Sequence, residues 1–154
     1  MTQILSRVLV TGGSGLIGVY TMRRLVEKGH QVVNYDMVPP TGERAFVLGN
    51  SKDEIIFERA GIEDLPSLFL AVKKHRIEKI VHLAAIVDPE IPHKSPSVAF
   101  RLDLGGTVNV LETARIMDLS RVVFMSTIGD YTTKKYEPID ENHPVLQGGE
   151  GPVS

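Results

Sequence analysis

A glycine-rich turn between an apolar run and a helical pattern constrains the fold of this chain more than any other segment. Arg7 to Thr11 is predicted to form a short buried strand, and Leu16 to Lys28 an amphipathic helix. The spaced glycines of the turn are Gly12, Gly15 and Gly18. Gly12 permits the tight turn, and Gly18 lets the helix pack against the strand. The chain is therefore predicted to open with the strand–turn–helix unit of a parallel α/β sheet.

Apolar β-rich runs continue to alternate with helical patterns, which is typical of βαβ units. Further strands are predicted at residues 31–37, 54–59, 79–85 and 121–126, and further helices after Asp64 as N-cap and from Ser95-Pro96 onwards. A long loop is predicted for residues 38–53, which are rich in proline and glycine. Gly106 lies in the apolar stripe of the last helix and should let that helix approach the sheet closely. Right-handed crossovers then favour an α/β, doubly wound, Rossmann-like parallel sheet of order 3-2-1-4-5, incomplete at its C-terminal side.

The glycine-rich turn is also a predicted phosphate site. Gly15 has no side chain to keep a pyrophosphate away from the backbone. Leu16, Ile17 and Gly18 open the following helix, whose N-terminus offers free N–H groups and a partial positive charge. Glycines also mark ordinary turns, so the flanking strand and helix are what favour the dinucleotide interpretation.

An acidic residue supports that interpretation. Asp36 ends the second predicted strand, 18 residues beyond Gly18, with Met37 next to it. A carboxylate at this point can accept hydrogen bonds from the adenine-ribose hydroxyls of NAD, and it would repel the 2′-phosphate of NADP. The alternative is a strand-end aspartate that only faces solvent. The spacing favours a cofactor-binding role and predicts NAD as the cofactor.

Composition excludes several other classes of protein. The 154 residues carry a net charge of −2, which gives no reason to expect a nucleic-acid partner or an anionic membrane surface. No cysteine is present, so disulfides and thiolate metal sites are excluded, and a reducing, cytoplasmic location is expected. The histidines have no ligand spacing, and no apolar run is long enough for a membrane span. Residues 1–154 are predicted to form one domain, with residues 128–154 mostly loop.

Several short segments together resemble one known family. They are the TGxxGxxG spacing from Thr11 to Gly18, the run His82-Leu83-Ala84-Ala85, the helix Gly106 to Glu112 (GTVNVLE), and the strand Val122 to Thr127 ending in Ser-Thr. In this order and at these intervals they resemble the extended branch of the short-chain dehydrogenases/reductases, the NAD-dependent epimerases and dehydratases. The resemblance covers residue 7 to about residue 145.

The resemblance implies further cofactor contacts. Leu83, Ala84 and Ala85 match the segment that lies along the cofactor. The family commonly has Gly-Asp-Ile before its third helix, where this chain has Ala60-Gly61-Ile62. The carboxylate that touches adenine is therefore missing, and adenine recognition is expected to rest on backbone groups near Ile62 or to be looser. Asp103 stands where the family usually has asparagine.

The resemblance also implies the catalytic groups. Thr127 matches the serine or threonine that hydrogen-bonds the substrate oxygen, with Ser126 as the alternative if the register differs by one. Both could instead only satisfy backbone groups at the strand end. The acid/base tyrosine and its lysine are expected near or beyond residue 154. Tyr131 and Lys135 fit the Y-x-x-x-K spacing, but no helical pattern surrounds them, so we expect Tyr131 not to be catalytic.

The sequence thus predicts the nucleotide-binding portion of an NAD-dependent oxidoreductase or sugar-nucleotide epimerase/dehydratase. The chain is expected to be a fragment that lacks the catalytic pair and the substrate lobe, and to be inactive by itself. The alternative is a non-enzymatic, redox-sensing dinucleotide module. An interaction domain without a nucleotide is disfavoured by the glycine turn and Asp36 together. The expected partner is a small molecule such as a nucleotide sugar, and the resemblance is compatible with a homodimer.

Overall fold

A five-stranded parallel sheet forms the centre of the protein, which a computed structural model describes at residues 5–127, 131 and 134–144. The strands are β1 (Arg7–Thr11), β2 (Gln31–Asp36), β3 (Ile55–Arg59), β4 (Lys79–His82) and β5 (Arg121–Phe124). The helices are α1 (Leu16–Glu27), α2 (Gly42–Leu48), α3 (Leu65–Lys74), α4 (Glu90–Lys94), α5 (Pro96–Ala99) and α6 (Gly106–Ile116). The strand order is β3-β2-β1-β4-β5, which confirms the predicted doubly wound order 3-2-1-4-5.

Two apolar cores lie on opposite faces of the sheet, because successive side chains of a strand point to opposite faces. Leu9 and Val33 belong to the core that includes residues of α3 and α6. Val8, Val10 and Val32 belong to the core that includes residues of α1 and Leu48 at the end of α2. With both faces covered, consecutive apolar residues are buried in the central strands, as Val32 and Val33 of β2 illustrate.

The prediction of a long loop at residues 38–53 is wrong for most of these residues. Residues 42–48 form α2, and Gly49–Glu54 form a 3-10 helix. Leu48 is only 2% exposed and anchors the segment in the core beside α1. A seven-residue helix with one buried residue has too little periodicity to be recognised. Gly42 and Gly49 do take positive φ angles, +56° and +54°, but they mark the two ends of the helix and not a continuous loop.

Three strands end earlier than the sequence predicts. The predicted strands extended to Met37, Ala85 and Ser126, whereas β2, β4 and β5 end at Asp36, His82 and Phe124. The last ladder bond of β4 runs from Leu83 N–H to Thr11 O (3.1 Å). Beyond it the N–H groups of Ala84 and Ile86 donate to the side chains of Thr11 and Asp103, so strand pairing stops although the sequence remains apolar.

The two later helices follow the predictions in part. Asp64 caps α3 as predicted, because its Oδ1 accepts the N–H of Ser67 at 3.1 Å. The helix predicted from Ser95-Pro96 runs from α5 through a π-helical segment (Phe100–Gly105) into α6, and the short helix α4 before it was not predicted. Gly106 does permit a close approach: a Cβ there would lie 2.6 Å from Cγ2 of Ile62.

Candidate functional site

A pocket of about 770 Å³ opens at the carboxyl ends of β1, β2 and β4. In doubly wound sheets this edge is where ligands bind. The pocket lining includes every residue predicted to contact the cofactor: Gly12, Gly15, Leu16, Ile17, Gly18, Asp36, Met37, Ile62, Leu83, Ala84 and Ala85. It also includes residues that sequence reasoning did not select, among them Ser14, Tyr35 and Glu63, and Met125 after β5. The fold therefore brings four predicted segments, far apart in sequence, around one cavity.

The glycines of the turn are required for two different reasons. Gly12 has φ +65°, and a Cβ there would lie 2.7 Å from the Ala84 backbone. A Cβ on Gly18 would lie 2.5 Å from the carbonyl oxygen of Gly12. By contrast, a Cβ on Gly15 would meet only the Gly12 oxygen, at 3.2 Å. Packing of the fold thus requires Gly12 and Gly18, whereas the bare side of Gly15 faces the pocket space.

The N-terminus of α1 is left open towards the pocket. Gly15 occupies the N-cap position, no side chain caps the helix, and no acidic residue lies in its first turn. The first N–H groups of a helix have no intrahelical partner and carry the positive end of the helix dipole. Leu16 and Ile17, at the first two positions, are 66% and 54% exposed. This end of α1 is suited to hold an anionic group such as a pyrophosphate.

Asp36 is held beside the glycine turn by Ser14. The N–H of Ser14 donates to Oδ2 of Asp36 at 3.0 Å, and the Ser14 hydroxyl donates to the carbonyl of Val38 at 2.6 Å. The buried amide of Asn34 donates to the same hydroxyl at 3.0 Å, and Arg44 Nη1 lies 3.4 Å from the Ser14 carbonyl. Ser14 therefore fixes the carboxylate relative to the turn. The sequence analysis does not select Ser14, and the only sequence feature that points to it is its position between two glycines of the turn.

A hydrogen-bond chain of fixed direction runs behind the β4 side of the pocket. The N–H groups of Leu83 and Ala84 both donate to Oγ1 of Thr11, at 3.2 and 3.3 Å. The Thr11 hydroxyl hydrogen must therefore point to Nδ1 of His82, 2.6 Å away. His82 Nε2 then carries the ring proton and donates to Oγ1 of Thr107 at 3.2 Å. Thr107 in turn donates to the carbonyl of Asp103 at 2.6 Å.

These hydrogen bonds leave His82 as a neutral, structural residue. Its side chain is buried, and burial lowers the pKa of His82 although Asp103 raises it in part. The Asp103 carboxylate, found where the resemblance leads one to expect asparagine, accepts the N–H of Ile86 at 2.8 Å. His82 and Asp103 thus fix the backbone of residues 83–86, which line the pocket.

The opposite end of the pocket is formed by the turn after β3. The carbonyl of Ile62 accepts the side-chain amide of Asn109 at 3.0 Å, and the carbonyl of Gly61 accepts the Tyr35 hydroxyl at 3.3 Å. Burial raises the pKa of Tyr35, with smaller contributions from the carboxylates of Asp64, Glu63 and Glu58. Tyr35 therefore stays a protonated donor that holds this turn in place.

The predicted catalytic residues lie just outside this lining. Ser126 and Thr127 follow β5, whose last residue is Phe124, and they are exposed. The pocket lining reaches Met125, next to them in sequence. Their assignment to catalysis stays a prediction.

Tyr131 and Lys135 are not arranged as an acid/base pair on an α-helix. Tyr131 lies in a 3-10 turn and Lys135 in a bend, and residues 134–144 contain no helix or strand. The rings of Tyr131 and His143 pack edge to face with their centroids 5.5 Å apart, and the Lys135 N–H donates to Nε2 of His143 at 3.0 Å. The prediction that the Y-x-x-x-K spacing lies off a helix is confirmed for these described positions. The predicted loop at 128–130, 132–133 and 145–154 lies outside the described residues.

Among residues 5–127, 131 and 134–144, no three His, Asp or Glu side chains come together in a way that could hold a metal ion. Within the same part of the chain, no helix is both long and apolar enough to cross a membrane.

Several known proteins are similar to this chain in sequence. The NAD dependent epimerase/dehydratase family model matches residues 8–149. The UDP-glucose 4-epimerase of Mus musculus is 32% identical over 150 residues, covering 91% of this chain and 43% of the mouse protein. The Homo sapiens enzyme is 31% identical over 150 residues, covering 90% and 42%. The chain spans less than half the length of these relatives.

Solved structures give a matching result. The UDP-glucose-4-epimerase of Stenotrophomonas maltophila, with bound NAD and formylated UDP-arabinopyranose, superposes with a TM-score of 0.83 at 26% identity, covering 96% of this chain and 44% of that one. The Brucella ovis enzyme, in complex with NAD, has a TM-score of 0.79 at 26% identity, covering 96% and 43%. Because the family model spans most of the sequence and the fold agrees, the chain belongs to the NAD dependent epimerase/dehydratase family, in the extended short-chain dehydrogenase/reductase group.

Proposed function

We propose that this chain is the NAD-binding portion of an epimerase that acts on a nucleotide sugar. The observation that carries the proposal is the joining of the glycine turn, Asp36 and residues 83–85 around one pocket. The curated relatives named above, at 31–32% identity, are UDP-glucose 4-epimerases, which favours epimerisation over dehydration. A UDP-sugar is therefore the substrate class to test first.

The residues fit the cofactor that the family uses. The bare side of Gly15 and the uncapped N-terminus of α1 would hold the pyrophosphate. Asp36, fixed by Ser14, would accept the hydroxyls of the adenine ribose, and its charge would disfavour NADP. Leu83, Ala84 and Ala85 would lie along the cofactor. When bound, NAD supplies hydride transfer to and from a substrate carbon.

The proton chemistry needs side chains as well. We assign Thr127, with Ser126 as the alternative, to a hydrogen bond with the substrate oxygen. A group with a tuned pKa must also take and return the proton. Tyr131 is a poor candidate, because its ring packs on His143 and Lys135 is not stacked one helical turn away. We therefore place the acid/base and most substrate contacts in the part of the family fold that this chain does not span.

We further propose that the protein is cytoplasmic and forms a homodimer. The absence of cysteine fits a reducing compartment. The helix from Pro96 to Ile116 carries an exposed apolar stripe: Phe100, Leu104, Val108 and Leu111, each more than half exposed. Their spacing of four, four and three residues puts them on one helical face, suited to pack against a second copy. Light scattering should give a dimer mass that Leu104→Glu reduces to the monomer mass.

Calorimetry with NAD and with NADP tests the proposed cofactor. We expect NAD to bind more tightly than NADP, and Asp36→Ser to narrow the difference. A failure to bind NAD at millimolar concentration, or tighter binding of NADP, would contradict the proposal. For the reaction, proton NMR of UDP-galactose incubated with the full-length protein and NAD should show UDP-glucose forming. The chain of 154 residues alone should give no turnover.

A further inference from the structure

The adenosine end of the pocket has a carboxylate that the proposed function does not use. Asp36 stands at the end of β2, so the adenosine half of a bound dinucleotide would lie on the β2–β3 side. There the pocket wall is formed by Ala60, Gly61, Ile62 and Glu63. Ile62 is buried, whereas Glu63 is exposed at the pocket rim. Glu63 is therefore the charged side chain on this part of the wall.

The Glu63 carboxylate folds back over Gly61. A Cβ built on Gly61 would lie 2.5 Å from Oε2 of Glu63 and 2.8 Å from its Oε1. The carboxylate therefore occupies the space that a side chain at position 61 would need. The glycine lets a carboxylate reach the pocket wall from two residues further along the chain.

Other acceptors at this end of the pocket are already engaged. The Gly61 carbonyl accepts the Tyr35 hydroxyl, and the Ile62 carbonyl accepts the Asn109 amide. Asp64 accepts both the N–H and the hydroxyl of Ser67, at 3.1 and 2.5 Å, as the cap of α3. No hydrogen bond or ion pair joins Glu63 to another residue that the structure describes. Its carboxylate is an acceptor available to a ligand.

An ionised carboxylate only accepts hydrogen bonds, so it can distinguish bases by their exocyclic group. Adenine presents an amino group, which donates, whereas hypoxanthine presents an oxygen in the same place, which does not. We propose that Glu63 is a specificity-determining residue that selects adenine by accepting a hydrogen bond from its exocyclic amino group. This inference rests on the proposed function, since it assumes that a dinucleotide occupies the pocket.

The test compares NAD with nicotinamide hypoxanthine dinucleotide by calorimetry on the purified protein. Hydrogen bonds to charged groups contribute more than neutral ones, and the exposure of Glu63 reduces that advantage. We therefore expect about a tenfold preference for NAD. Glu63→Gln, whose amide can both accept and donate, should narrow the preference to less than about threefold. The matched control is Glu54→Gln, which removes the same charge just before the other end of β3 and should leave the ratio unchanged.

A second variant tests the placement of the carboxylate. Gly61→Ala puts a methyl group where the Glu63 carboxylate lies and should also narrow the preference, without a change in the NADP discrimination set by Asp36. An unchanged ratio in Glu63→Gln, with NAD still bound, would overturn the inference and leave the proposed function intact. Absence of binding by both dinucleotides would overturn the two together. Thermal unfolding of each variant confirms that a changed ratio does not reflect misfolding.

Discussion

Gly18→Ala and Gly15→Ala each add one methyl group to the glycine turn, and the first should reduce stability whereas the second should reduce NAD affinity. At Gly18 a Cβ would lie 2.5 Å from the Gly12 carbonyl oxygen and 2.6 Å from the Gly13 carbonyl carbon. That backbone cannot easily move, because Gly12 N–H also donates to the carbonyl of Tyr35 at 3.1 Å. At Gly15 the added Cβ meets only the Gly12 oxygen at 3.2 Å, which a shift of a few tenths of an ångström relieves.

The magnitudes follow from these contacts. Overpacking costs about 1–3 kcal/mol, and we take the upper end for Gly18→Ala because the clash is with backbone. Replacing glycine by alanine within a helix returns about 1 kcal/mol. The free energy of unfolding should therefore fall by about 2 kcal/mol, and Tm by about 4–8 °C. Gly15→Ala should change the free energy of unfolding by less than about 0.5 kcal/mol, a typical limit for uncrowded sites.

For NAD affinity the order of effects should be reversed, with Gly15→Ala having the larger effect. The methyl of Gly15→Ala would occupy space assigned to the pyrophosphate, so NAD affinity should drop at least about tenfold, or 1.4 kcal/mol. Gly15→Val should abolish binding and leave the helix content intact. Urea unfolding and calorimetry on the same samples measure both quantities. Unchanged NAD affinity in Gly15→Val would show that the phosphates do not lie on this turn, and an undiminished Tm in Gly18→Ala would refute the close approach of α1.

Three further predictions concern side chains. Asp36→Asn keeps the shape of the Ser14 contact and removes the charge. Calorimetry should therefore find a lower ratio of NAD affinity to NADP affinity in this variant. An unchanged ratio would mean that Asp36 does not face the ribose. Burial lowers the pKa of His82, so below about pH 6.5 the unfolded chain takes up a proton that the folded protein does not. The free energy of unfolding should then fall from pH 7 to pH 5 by up to about 1.4 kcal/mol per unit, and urea titrations should find a smaller slope in His82→Gln. Tyr131→Phe should leave the turnover of the full-length protein unchanged, and a loss of turnover would restore Tyr131 as the acid/base.

Much of the fold was decided by local pattern. Consecutive apolar residues such as Val8–Val10 and Val32–Val33 favour burial on both faces of a sheet, and the turn from Gly12 to Gly18 joins strand to helix in only a few ways. The handedness of βαβ crossovers then fixed the strand order. The spacing from Gly18 to Asp36 identified two residues that line the same pocket, because the topology brings the start of α1 and the end of β2 together.

Local pattern failed where a segment depends on one distant contact. Helix α2 is held to the core by Leu48, which packs with residues of β1 and α1 that its own sequence does not reveal. The sequence misplaces the end of β4 because apolar residues continue past the point where strand pairing stops. Side-chain acceptors take over the backbone N–H groups there, and they leave no periodicity in the sequence.

The sequence by itself thus determined the five strands, their order in the sheet, the longer helices and the segments that surround the pocket. Only the tertiary structure decided which atoms meet there. Thr11 and His82 are 71 residues apart, and their contact sets the ring tautomer. Ser14 reaches Asp36 across 22 residues, and Glu63 bends back over Gly61. Hydrogen-bond direction and steric exclusion depend on distances of a few tenths of an ångström, which residue type and spacing do not encode.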